Sequence, residues 1–375
     1  MKRKVAAAMA ALAVAATSVV MTSSSSAQSS RPADRMVNLG FEDIVTDDPG
    51  HLSRLAEQLD AVDATAVSLA VGRTDWTAFP SSSNPNAVSG AVAATGRDYV
   101  AEAIKAVGTS AGGRKRDIVL TIDVLLGRSL GEDPSLAGRN AAGQRSSSFA
   151  SVSALRNGEA GERVAALASE VAGRYRPTAV DLTELMFDDF TFGTDDLVDF
   201  KATTGLKDWP RNSSGSIDAA DAHLRTWRSE AVADIVRKVR AAVEPYGVRT
   251  ETDVRSPLVL AAGDRADSGH DYDLLLKQLD RLHVWQYVGL NDAAAPPTKE
   301  LVRAMNRRAG WRMSLSLGLW SSEGVITPER LGRELRDAAR GGAASVSVTP
   351  ASLMTDEHWE VLKKAWSGRW KALSV

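Results

Sequence analysis

The chain has no cysteine. That alone excludes disulfide bridges, thiolate metal centres, a cysteine nucleophile and a lipid-modified cysteine at the end of a leader. Stability must come from a large core. Histidine is scarce as well: His51, His223, His270, His283 and His358 are the five present, and no pair stands at a metal-binding spacing. A metallohydrolase or metal-dependent deacetylase therefore finds no support, and no metal or other cofactor is expected. Neither a Gly-x-Ser-x-Gly elbow nor a phosphate-cradling P-loop occurs. The chain also lacks an excess of either charge. The 45 Lys and Arg nearly balance the 47 Asp and Glu, for a formal net charge of -2, which is not the footprint of a partner for nucleic acid or a membrane surface.

Long apolar runs are missing with one exception, the Ala- and Val-rich stretch 5–20 that follows Lys2-Arg3-Lys4 and precedes a serine-rich segment. At about sixteen residues it is short of the roughly twenty needed to span a bilayer, and its layout is that of a secretory signal peptide. Ser25 and Ala27 supply the small residues that a signal peptidase reads, which places cleavage after Ala27. The expected organisation is a signal peptide over 1–27, a flexible segment over 28–34 and one exported, soluble domain over 35–372, with a monomer expected.

Within that domain, short apolar β-branched runs alternate with amphipathic helical stretches, the pattern of βαβ units on a parallel sheet. Strands are expected at 36–41, 66–71, 118–124, 179–187, 248–253, 283–288, 313–319 and 344–349. Helices are expected at 51–60, 99–107, 159–175, 222–243, 272–279, 299–309, 328–339 and 357–366. Eight repeats are the number that closes a single-domain (β/α)8 TIM barrel. A doubly wound open sheet is the alternative, but no glycine fingerprint follows the first strand. The segments after the second, third and fourth strands are long and polar, which places a cleft at the C-terminal face of the barrel.

The chemistry-bearing residues gather at predicted strand ends. The fourth strand closes on Phe187-Asp188-Asp189-Phe190, and extended alternation from Leu182 through Glu184 and Met186 turns Asp188 into the barrel mouth, with Asp189 at the rim. Glycosidic cleavage needs one carboxyl to protonate the leaving oxygen and a second to stabilise or attack the anomeric carbon, so Asp188 and Asp189 are candidate catalytic acids. Asp195, in the acidic stretch with Asp196, is a candidate second carboxylate, although acids there also suit the first turn of a helix. The fifth strand carries Glu251 and Asp253 on one face, with Arg249 and Arg255 as ion-pair partners that would make them structural. Glu251 joins the catalytic candidates and Asp253 the binding ones. Gln286, Tyr287 and Trp320 offer amphipathic rings and an amide for a sugar, or ordinary barrel packing. Asp75 and Trp76 after the second strand, with Arg73 nearby, and Asp123 on the third complete a polar ring, unless Asp123 pairs with Arg128.

Three segments carry a family resemblance: Phe187-Asp188-Asp189 with the acids that follow, Trp227-Arg228-Ser229-Glu230-Ala231, and Trp285-Gln286-Tyr287-Val288. In order and spacing the chain from about Leu52 onward resembles the C-terminal hydrolase domain of bacterial poly-N-acetylglucosamine deacetylases and related glycosyl-hydrolase-like barrels. The resemblance implies a (β/α)8 barrel acting on an exported β-linked amino-sugar polymer, with Asp188 and Asp189 as catalytic acids and Asp195 or Asp196 in the place of the next one. Phe190-Thr191-Phe192-Gly193 departs from that pattern, and no deacetylase domain is expected within these residues. A weaker similarity, Asp181, Glu184, Met186 and Asp188 at the spacing of the fourth-strand signature of chitinase-like barrels, has Met186 in place of an acid and Asp188 where glutamate is used. It argues against chitinase activity and for an inward Asp188. The sequence thus points to a secreted glycoside hydrolase of a polysaccharide or oligosaccharide, retaining, inverting or assisted by the substrate's N-acetyl group. A barrel that binds the sugar without turnover is the competing reading.

Overall fold

The computed structural model describes residues 31–290 and 296–367. The expected signal peptide and its cleavage site lie outside the described residues, and of the segment 28–34 the last residue, Asp34, already belongs to the first strand. Eight parallel strands run in sequence: β1 (Asp34–Leu39), β2 (Ala66–Arg73), β3 (Asp117–Asp123), β4 (Ala179–Thr183), β5 (Arg249–Arg255), β6 (Arg281–Gln286), β7 (Met313–Gly318) and β8 (Ser345–Thr349). Each pairs with the next, and β1 pairs with both β2 (Met36 opposite Ala66) and β8 (Met36 opposite Ser347), so the sheet closes on itself. The fold is the (β/α)8 barrel, and the open-sheet alternative is ruled out.

The helices that cover the barrel are α1 (His51–Ala61), α2 (Tyr99–Val107), α3 (Glu159–Tyr175), α4 (Ala222–Val243), the single turn α5 (Tyr272–Leu275), α6 (Thr298–Arg308), α7 (Pro328–Gly341) and α8 (Asp356–Trp366). Among the described residues no helix is long and apolar enough to cross a membrane. The sequence reading of eight strands and eight helices holds, with shifts of one or two residues at several ends and two larger differences: α5 stops at one turn, and β4 ends at Thr183, four residues before the expected end.

Strand alternation divides the chain's side chains into two environments. Ile118, Leu120 and Ile122 on β3, Leu315 and Leu317 on β7, and Val346 and Val348 on β8 point outward into the one large apolar cluster shared with the helices. Inward positions are mostly polar: Ser68 on β2, Thr121 and Asp123 on β3, Asp181 and Thr183 on β4, Glu251 and Asp253 on β5, His283 on β6, Ser316 on β7 and Ser347 on β8. An apolar quartet of Met36, Ala66, Val119 and Ala179 floors one half of the barrel near the N-terminal ends of its strands.

The segments after β3 and β4 contribute structure of their own. An antiparallel pair, Ala137–Arg139 with Arg145–Ala150, follows β3, and the helix Thr194–Thr204 follows β4. This side is clamped by an aromatic nest in which Trp227 of α4 meets Phe200 at 5.5 Å and Trp209 at 5.7 Å while its Nε1 donates to Asp199 at 2.6 Å. The Trp227–Ala231 segment that carries part of the family resemblance is therefore a piece of scaffold. Because the Trp227 ring is fully buried, Trp227→Ala is expected to cost about 3–5 kcal/mol, as large-to-small core truncations do. Urea unfolding followed by circular dichroism measures it, and a loss under about 1 kcal/mol would show that the nest is not a core element.

Candidate active site

The C-terminal ends of the strands open on a cavity of about 400 Å³, a volume within the usual range for ligand pockets. Asp123, Thr183, Glu184 and Asp253 supply its polar wall, and Trp285, Tyr287 and Trp320 its aromatic one. The rings form a continuous surface: Trp285 and Tyr287 are stacked at 5.2 Å and 19°, and Tyr287 meets Trp320 at 5.3 Å. Tyr287 lies so close over β7 that a Cβ at Gly318 would sit 2.3 Å from its ring, so this position requires glycine.

Glu184 is the residue the sequence reading missed. It follows the last residue of β4 in a left-handed conformation, φ +59°, which an L-residue adopts at a cost on the order of 1–3 kcal/mol and only where its surroundings impose it. They do so here from the loop after β5. His270 Nε2 meets the Leu185 carbonyl at 2.9 Å, the Arg255 amide donates to His270 Nδ1 at 3.1 Å, and the Phe187 amide donates to the Ser268 carbonyl at 2.9 Å. Since Nδ1 receives an N–H, Nε2 must carry the proton, which fixes a neutral tautomer. Burial pushes His270 down to about 4 and favours that neutral form.

The Glu184 carboxyl is raised to about 7, first by burial and then by the Asp123 and Asp253 carboxylates, against the pull of Arg255 and Arg73. Asp123 is raised by burial, but it is held in place: its Oδ2 takes Arg73 at 2.7 Å and its Oδ1 the Leu125 amide at 2.8 Å. Its partner is thus Arg73 and not Arg128, which pairs with Glu132. Asp253, half-buried at the base of the cavity, is raised by burial while His283, Thr183 and Trp285 oppose the rise. Beneath it Asp181 is raised well above the carboxylate range by burial and by Asp253, and accepts from Thr121, which in turn contacts Ser68 at 2.7 Å.

The four acids proposed from sequence as catalytic do not line this mouth. Alternation from Leu182 through Glu184 predicts an inward Asp188, but Leu182 points outward into the apolar core with Asp181 and Thr183 inward, the strand stops at Thr183, and the left-handed residue turns Glu184 inward in place of Asp188. Asp188 instead forms an ion pair with Arg255 at the rim. Asp189 is exposed. Asp195 accepts from Ser151 Oγ at 2.6 Å in the first turn of the Thr194–Thr204 helix, and buried Asp196 accepts the Ser153 and Gly193 amides, the capping alternative. Glu251 lies lower in the barrel, fully buried, 2.8 Å from His283 Nε2 and 3.3 Å from Arg249. Burial opposes its ionisation, but His283 and the nearby arginines outweigh that and hold it low, while Glu251 raises His283. It is a structural ion pair.

Of the binding candidates, Asp123, Asp253, Tyr287 and Trp320 line the mouth. Gln286 alternates outward and donates to the Pro296 carbonyl at 2.7 Å and Thr298 Oγ1 at 3.1 Å. Trp76 stands behind the wall, its ring edge-on to Phe41 at 4.2 Å. Asp75 faces away and accepts the Ser129 amide at 2.9 Å. Among the described residues no group of three His, Asp or Glu side chains is placed to hold a metal ion.

His270→Ala orphans two backbone groups, at about 1–3 kcal/mol for each left buried, and frees Glu184 to relax. A carboxyl 13C titration is expected to move the Glu184 midpoint from about 7 toward its ordinary 4.5. An unchanged midpoint would show that His270 does not position Glu184.

No protein-family model and no curated protein sequence matches the chain. Its fold does match solved structures. It superposes on the PgaB (BpsB) glycoside hydrolase domain from Bordetella bronchiseptica with a TM-score of 0.67 at 17% identity, over 89% of this chain and 99% of that one. The catalytic domain of the β-amylase from Paenibacillus polymyxa gives 0.62 at 13% identity, over 90% and 99%. A family GH18 chitinase from Cycas revoluta gives 0.51 at 9% identity, over 89% and 100%. At such identities the likeness establishes a shared barrel fold, including the resemblance to the PgaB hydrolase domain that the sequence suggested.

Proposed function

We propose that the protein is an exported glycoside hydrolase of a β-linked amino-sugar polysaccharide, with Glu184 as its general acid. The observation that carries this reading is the Glu184 carboxyl, raised to about 7 at the C-terminal end of β4 and facing an aromatic wall across the cavity. Such a group is protonated up to neutrality and can give its proton to a glycosidic oxygen as the bond breaks. Sugar faces stack on Trp285, Tyr287 and Trp320. Asp123 and Asp253 both add to the rise of Glu184, and because Asp123 is held by Arg73, Asp253 is the group placed to stabilise the positive anomeric carbon or to take a proton from the attacking water. Asp123 holds Arg73 and shapes the wall. The fold shared with glycoside hydrolase structures supports the reaction class, and the N-terminal segment 2–27 supports export.

The test is reducing-end release from a panel of β-linked polysaccharides that includes partly deacetylated poly-β-1,6-N-acetylglucosamine. Glu184→Gln is expected to lower the rate about 10²- to 10⁴-fold, the usual worth of a general acid, with Asp188→Asn far milder. Release by neither protein, with retained binding to one of the glycans, would favour a carbohydrate-binding barrel without turnover.

The pH dependence follows from the same group. Glu184 must be protonated to act, so its contribution is present below about pH 7 and kcat/KM should fall about tenfold per unit above it. A profile flat from pH 6 to 9 would remove Glu184 from the acid role.

A further inference from the structure

A second cavity, of about 470 Å³, is lined by residues that follow β2 and β3 and by α3. Between it and the mouth stands a tight hairpin in which β2 turns back into Trp76–Thr77, with Gly72 opposite Thr77 and Arg73 opposite Trp76. Gly72 has φ +140°, and a Cβ there would lie 2.4 Å from the Trp76 carbonyl oxygen, so the turn is confined to one shape. Its residues divide between the two cavities. Arg73 pairs with Asp123 of the mouth and Trp76 backs Phe41, whereas the tip residues Thr74 and Asp75 line the second cavity.

The opposite wall is equally fixed. Glu170 of α3 accepts from Ser82 N and Oγ at 2.6 and 2.9 Å, from Ser81 Oγ at 2.8 Å and from Ser83 N and Oγ at 3.0 and 2.6 Å. Burial works against its ionisation, but these hydrogen bonds hold it at about 2. Asn84 Nδ2 then donates to the Thr74 carbonyl at 3.1 Å and ties the loop to the hairpin. The cavity is thus preformed, which lowers the cost of binding.

Its chemistry is that of a neutral, hydroxyl-rich ligand. Each arginine on its wall already faces a glutamate on its own helix, Arg128 with Glu132 at 3.2 Å and Arg163 with Glu159 at 2.6 Å. That pairing leaves no cationic pocket for a phosphate. Thr74, Ser81, Ser83, Asn84 and Asn86 nevertheless line the space, and the hydroxyl of Thr74, a residue only 4% exposed, has no hydrogen-bond partner among the described residues. A buried hydroxyl without a partner is costly unless a ligand completes it.

We propose that this cavity is a second carbohydrate site, which takes a sugar unit through hydrogen bonds alone, without aromatic stacking, at the tip of the hairpin whose Arg73 holds Asp123 of the mouth. The choice of a sugar rests on the function proposed above; the presence of a polar ligand site does not. The experiment is calorimetric titration of the full chain carrying Glu184→Gln, to suppress turnover, with N-acetylglucosamine dimer and hexamer as probes. Two classes of dimer site are expected. Thr74→Val, and separately the exposed-side-chain variant Arg128→Ala, should weaken one class about five- to tenfold, the worth of one or two hydrogen bonds. Trp320→Ala should weaken only the other. Binding that Trp320→Ala alone affects, or no binding of either probe, overturns the proposal. Binding that only Thr74→Val and Arg128→Ala affect upholds it while removing the mouth from the proposed function.

Discussion

Closure of the sheet between β1 and β8 is the constraint on which everything else depends. A closed barrel has no edge to shed polar groups into solvent, so every inward side chain must find its partner across the interior or at the open end. This chain places acids, hydroxyls and a histidine inside, and some of them answer one another, Glu251 with His283 and Asp181 with Thr121 and Ser68, while the hydroxyls of Ser316 and Ser347 stay without a partner among the described residues. Nearer the C-terminal ends of the strands Asp253 and Glu184 reach the cavity, Asp253 with Thr183 and Trp285 beside it. Proximity of like charge and removal from water then act together to raise both carboxyls. The electrostatics of the mouth are thus inherited from the polar interior beneath it.

Buried ion pairs of this kind contribute little net stability, because desolvation offsets most of their attraction. Their role here is registration. Glu251 joins β5 to β6 through His283, and on the N-terminal side Arg281 reaches Asp34 at 2.8 Å, joining β6 to β1. The apolar clusters outside the strands carry the stability, while the polar interior fixes which residues arrive at the rim together.

The architecture was legible because apolar positions recur at period two in the strands and at helical spacing between them. Eight strands and eight helices could be placed within a few residues. The site was less legible, for three local reasons. A left-handed residue that is not glycine leaves no mark in sequence, so alternation carried past Thr183 exchanged Glu184 for Asp188. Gln286 falls one position from Trp285 and Tyr287 and so belongs to the outer face, where α6 captures it. Asp75 sits at the tip of a two-residue turn and Trp76 just after it, and the hairpin geometry sends Asp75 away from the mouth and Trp76 behind its wall. A usable signal did exist: Asp181 and Thr183, at period two and inward, mark where the polar face of β4 ends and draw attention to the acid that follows.

The close approach of Tyr287 to Gly318 has a consequence for the breadth of the cleft. On that side its limit is set by main chain, since the ring rests where a methyl group would otherwise be. The spacing between the aromatic wall and the carboxylates is therefore a property of the barrel's own circumference. Rotamer changes along the rim can alter what the cleft touches, but its width follows the backbone.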